Sequence, residues 1–274
     1  MFKVVVCCLL IPAFFFGCSS NNVTVDDGLQ RYFDSAGVKG AFGLFDNGHG
    51  HFTICNLSRY SDSFYLPGES FDILQSLIAI QTGVLKDDLA RMRLDRPDAP
   101  QETMPAATLG ESFRDTTELN RQQFDLLYTR ALRKDTVRKW VDSLQYGNKR
   151  LGDSAGAIFW ADDTLRINCD EQLGLLKKLY FNQLPFFART QEIVCRMMPS
   201  ESNSMFRFCY KTAMGRAANG HGIGWTMGWV EENKHPYFFV VNLESADTGR
   251  DLRKTGLEIA KKILRQEGFF LGKR

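Results

Sequence analysis

Apolar residues recur at two different spacings along this chain, and the alternation between them divides it into thirds. In the first third, AFGLFD (41–46) and HFTICN (51–56) are β-rich runs separated by Asn47-Gly48, which predicts a hairpin. The stretch from Val23 to Gly37 before it reads as a polar helical segment. After Pro67 the period changes: Phe71, Leu74, Leu77, Ile78 and Val84 or Leu85 follow helical spacing, with Gly83 as the stop. This helix is too apolar to lie on a surface.

The middle third stays mostly helical. RPDAPQET (96–103) and GESFRDTT (110–117) read as surface loops joining short helices, and helical periodicity resumes over 120–144. Asn168 with Glu171 three residues on forms a capping-box pattern, and Leu173, Leu176 and Leu179 mark the buried stripe of the helix it starts. The last third returns to strands at 205–212, 224–232 and 237–243, the last two joined by the turn ENKHP, and closes with a helix over 257–268. Strands at both ends with helices between them predict an α+β fold. One mainly antiparallel sheet is assembled from both ends of the chain, flanked by helices, with an all-helical subdomain inserted at roughly 88–200.

Composition narrows the class. The 274 residues are 44% hydrophobic and 24% charged, which suits a globular domain. The net charge of +2 arises from 34 basic and 32 acidic residues dispersed along the chain, so no basic block points to nucleic acid. The N-terminus pairs Lys3 with an apolar run from Val4 to Phe16, followed by Gly17 and Cys18, the pattern of an export signal over 1–17. At about 1.5 Å per residue that run covers only about 20 Å, too short for a permanent span. FFGC-SSNN is similar to a bacterial lipobox, which implies that Cys18 becomes a lipidated mature N-terminus anchoring a single domain over 18–274. In the alternative, an ordinary leader, Cys18 is incidental. Either reading places the mature chain in the periplasm or on the outer surface. Cys55, Cys169, Cys195 and Cys209 lack CxxC spacing and sit in apolar runs; an oxidising compartment allows one disulfide among them, whose pairing stays open. No metal or cofactor is expected: the four histidines are scattered, and the glycines of HGIGWTMGW precede no helix.

The chemistry concentrates where LPGESFDILQSLIAI begins, since Glu69 and Asp72 stand at the head of an apolar helix. Two readings follow from the residues alone. They are solvated acids favoured by the helix dipole and free N–H groups, or a carboxylate pair whose proximity splits their pKa values into an acid and a base.

Four segments in order, LPGESFDILQSLIAIQTGV, Tyr146-Gly147-Asn148, FWADDTLRINCDEQLGLLKKLY with Trp160, and YKTAMG followed by GWTMGWVEE, carry a resemblance to the class D (oxacillin-hydrolysing) serine β-lactamases and related penicillin-binding transpeptidase domains. The likeness covers nearly all of the chain after the leader. In that family a Ser-x-x-Lys motif opens the helix after the proline, with serine as nucleophile and a carbamylated lysine as base. Aligned on Pro67, Phe71, Ile73 and Ser76, those positions are Glu69 and Asp72. Ser70 is one residue out of register, and Ile73, three residues on, cannot accept its proton. The family's Ser-x-Val, counted back from Tyr146 without gaps, falls on Asn120, Arg121 and Gln122. Its Lys-Thr-Gly survives as Lys211, Thr212 and Ala213, whose methyl group would crowd a ligand, and Arg253 lies where the substrate-carboxylate arginine is placed.

The resemblance therefore implies an envelope protein with impaired acyl transfer, binding or sensing a peptidoglycan stem peptide or β-lactam-like ligand through Lys211, Thr212, Trp160, Ala213 and Arg253. The alternatives are an active hydrolase using unorthodox residues and a structural envelope lipoprotein.

Overall fold

The structure, a computed structural model, describes residues 22–91, 107–115, 131–152 and 159–274, with Thr117, Gln122, Phe124, Asp125 and Leu127. The leader, Cys18, Asn120 and the 96–103 loop lie outside the described residues. Seven strands form one sheet: β1 (Val23–Val25), β2 (Lys39–Asp46), β3 (His51–Cys55), β4 (Ser200–Ser202), β5 (Phe206–Arg216), β6 (Gly222–Glu232) and β7 (His235–Ser245). Their order is β1-β3-β2-β7-β6-β5-β4. All neighbours are antiparallel except β1 and β3, so the sheet does join both ends of the chain, with β2 paired to β7.

YFFVVNL is a continuous apolar run because both faces of the sheet are covered. Phe238 and Val240 enter a core shared with the helices inserted between β3 and β4. Tyr237, Phe239, Val241 and Leu243 enter a second core with Leu252, Ile259, Ile263 and Leu264 of the closing helix. That helix spans Leu252–Gln266, starting earlier than its apolar spacing suggests, because Asp251 caps it by accepting the Arg253 and Lys254 backbone N–H groups.

The chain after Pro67 first makes a 3-10 turn, Gly68–Phe71, and then the helix Asp72–Gln81, whose residues from Asp72 to Ile80 are all buried. Gly83 at φ +75° ends it in the left-handed region that glycine adopts without strain. The helix Cys169–Tyr180 has the expected capping box between Asn168 and Glu171.

Two expectations are corrected, and one open point is filled in. Val23–Val25 is an edge strand paired in parallel with β3, in the register Val23 to Phe52 and Val25 to Ile54. Its V-T-V alternation has period two but is too short to stand out. GESFR is not loop but part of the half-buried helix Leu109–Arg114, started by a capping box between Thr108 and Glu111. Cys55, Cys169, Cys195 and Cys209 are all free thiols. Burial pushes the thiol pKa of Cys55, Cys169 and Cys195 up to about 12 and that of Cys209 up to about 11.

Candidate functional site

Glu69 and Asp72 are buried, at 6% and 7% exposure, and each meets a cation. The expectation of two solvated acids is thereby corrected. The dipole argument is local, whereas β5 and the closing helix bring tertiary partners against this turn.

Glu69 lies on the 3-10 turn. Arg253, in the first turn of the closing helix, grips its carboxylate with both arms of the guanidinium fork: Nε donates to Oε2 at 2.7 Å and Nη2 donates to Oε1. The backbone N–H of Met214 also donates to Oε2, at 3.0 Å. Gly68 makes this approach feasible. Its φ is +52°, and a Cβ there would lie 2.5 Å from the Met214 carbonyl oxygen.

Asp72, one helical turn deeper, accepts from Lys211 Nζ at 3.1 Å. Lys211 is itself 3% exposed, donates to the Phe113 carbonyl at 2.8 Å, and stands 4.2 Å over the Phe113 ring. The Asp72 carboxyl is raised to about 6, chiefly by burial; the Lys211 charge opposes the rise and the Glu69 charge adds to it.

The remaining candidates fall into place around this core. Ser70 is 1% exposed; its hydroxyl donates to the Pro67 carbonyl at 2.8 Å and accepts from Gln172 Nε2 at 2.8 Å, so it faces the interior. Trp160 is 2% exposed and stacks on Phe71 with ring centroids 5.2 Å apart. Its carbonyl accepts the Gly68 N–H at 2.9 Å. Trp160 thus positions the turn that carries Glu69 rather than presenting a free face to a ligand. Ala213 is fully buried, so its methyl is packed within the core. Strand alternation places Thr212 on the opposite face from Lys211, across from Thr226. The segment reaching Lys211 is Phe113, well before Asn120 in the chain. Met214 acts through its backbone amide and Phe113 through its carbonyl as well as its ring, and the backbone contacts are ones no side-chain motif reveals.

An open apolar groove of about 390 Å³ lies elsewhere, lined by Val23, Val25, Phe52, Ile54, Leu57 and Tyr60 among others.

Residues 55–266 match the family model of the penicillin binding protein transpeptidase domain. The chain is 31% identical over 218 residues to the β-lactamase OXA-48 of Klebsiella pneumoniae, covering 77% of each chain. A class D β-lactamase of Nostoc superposes with a TM-score of 0.75 at 27% identity, covering 89% of this chain and 99% of that one. The C-terminal domain of the Bacillus licheniformis BlaR penicillin-receptor superposes with a TM-score of 0.78 at 26% identity, covering 91% and 98%.

Proposed function

The chain belongs to the penicillin-binding transpeptidase family that includes the class D β-lactamases, and within it we propose a non-acylating member that binds or senses a peptidoglycan-derived or β-lactam-like ligand at the cell envelope. The carrying observation is that two acids, each committed to an ion pair, stand at the resemblance's nucleophile and base positions, Glu69 with Arg253 and Asp72 with Lys211. A carboxylate held by three donors is a poor nucleophile. The neighbouring hydroxyl, Ser70, is turned inward. Kinship with a protein described as a penicillin receptor supports a receptor-like role over turnover. In this reading residues 1–17 are a leader and Cys18 carries the membrane anchor.

The test is direct. The purified mature chain is mixed with a chromogenic cephalosporin and, separately, with a fluorescent penicillin followed by a denaturing gel. The proposal expects neither turnover nor a labelled band, together with a rise in melting temperature on titration with cell-wall peptides. Covalent labelling at any hydroxyl sinks it. Replacing Glu69→Ser together with Asp72→Lys is expected to restore partial acylation; complete failure in a folded variant would remove these positions from the family register.

A second reading, a hydrolase in which Asp72 activates water, draws on the elevation of that carboxyl to about 6, where acid and base forms coexist near neutral pH. Cephalosporin turnover that vanishes in Asp72→Asn would establish it.

A further inference from the structure

The three donors that hold Glu69 do not belong to the element that supplies it. The Met214 amide lies on β5, locked to β6 in the register Met214 to Gly224. On its other edge β5 pairs with β4 at Arg207–Cys209, so among the described residues no strand takes up the outward N–H at Met214. The Arg253 fork is fixed by a helix start that Asp251 caps. One strand amide and a planar two-armed cation, each on an element other than the Glu69 turn, thus converge on the space of a single carboxylate. The Arg253 side chain keeps 19% of its surface exposed, so one wall of the cradle reaches water although the Glu69 carboxylate itself is buried.

We propose that Glu69 is the resident ligand of a carboxylate cradle formed by the Met214 amide and the Arg253 guanidinium, and that a carboxylate-bearing peptide or β-lactam enters only by displacing it. This rests on the non-acylating reading above, because a covalently held ligand would stay whatever the cradle did. Glu69 then sets specificity. It cancels the charge that would draw in anions, and only a ligand that supplies further contacts along β5 can outcompete a tethered acid. Displacement needs a swing of the Glu69 side chain alone, since the backbone of the turn stays tied through Gly68 N–H to the Trp160 carbonyl.

The experiment compares benzylpenicillin with its methyl ester by calorimetric titration of the wild type, Glu69→Ala and Glu69→Ala with Arg253→Met, recording the intact mass of each sample. The expected result is that Glu69→Ala binds the free acid roughly ten-fold or more tightly than the wild type. The ester should gain nothing, and the double variant should lose the increase. A folded Glu69→Ala with no gain, or with an equal gain for the ester, overturns the proposal. Where Glu69→Ala does not fold, Glu69→Gln carries the same comparison. In the wild type the Met214 amide and Arg253 Nε–H resonances must move together with saturating acid and stay fixed with the ester; movement with both ligands or neither overturns it. A mass adduct on the wild type refutes the non-acylating reading alone, and the acid-against-ester difference still judges the cradle.

Discussion

Glu69 and Asp72 share one short turn and each meets a cation, yet the two pairs occupy different electrostatic worlds. Beside Glu69, Arg253 keeps 19% of its side chain in water and offers a planar fork, and a backbone amide adds a third bond. Deeper in, Lys211 keeps 3% and divides its ammonium between Asp72 and the Phe113 carbonyl. Charges taken wholly out of water lose hydration that one partner hardly returns, so the deep pair is vulnerable to loss of either member. In the Glu69 pair the acid is equally buried but its cation stays partly in water, so Arg253 can be rehydrated in a way that Lys211 cannot. The contrast separates a fixed strut from a replaceable contact, even though both acids stand where the resemblance places reactive groups.

The contrast can be broken most severely at the strut. Lys211→Met should cost about 3 kcal/mol at pH 8 in urea unfolding, because it strands Asp72 and the Phe113 carbonyl. Much of that loss should return on acidification, as Asp72 takes up a proton; a loss independent of pH would dissolve the distinction.

Similar in size is the wild-type pH profile. The Asp72 carboxyl lies at about 6 in the folded chain against an ordinary 3.8, so between those values the folded state binds more protons than the unfolded. Its contribution to stability is therefore complete below about pH 4 and is lost as pH rises through 6, a decline on the order of 3 kcal/mol. Asp72→Asn should flatten the profile in that window, and an unchanged slope assigns it to another group.

Ser70→Ala should cost about 1 kcal/mol by leaving Gln172 Nε2 short of its acceptor, without altering any ligand affinity. Glu69→Gln keeps an acceptor for the Met214 amide and leaves Arg253 partly in water, so it should cost about 1 kcal/mol in unfolding experiments, no more than Ser70→Ala. A larger penalty there than at Lys211 would invert the comparison.

Much of the sheet was legible because its signals are local. The Asn-Gly hairpin, the Asn168 capping box and the long apolar runs of β5 to β7 each announce themselves within a dozen residues or so. Val23–Val25 and the helix Leu109–Arg114 escaped for the same reason in reverse: one is three residues long and the other carries Gly110 near its start. At the site, the resemblance singled out Glu69 and Asp72 through their register with Pro67 and Phe71. Their burial could not be read in this way, since it depends on chain segments far away in sequence. Glu69 meets an arginine 184 positions later, and Asp72 meets a lysine 139 positions later. The Met214 amide and the Phe113 carbonyl carry no residue-type signal at all, because any side chain could stand above them.

The four neutral thiols have a practical consequence. Cys55 belongs to the core beneath the closing helix, whereas Cys169 and Cys209 belong to the core beneath the inserted helices. An alkylating reagent needs the thiolate and physical access, so Cys55, Cys169 and Cys209 can react only when their own layer opens, whereas Cys195 is only half-buried. Timed mass spectrometry of the labelled chain would therefore show which layer breathes first, turning sulfur atoms with no evident chemistry into stopwatches for the two halves of the fold.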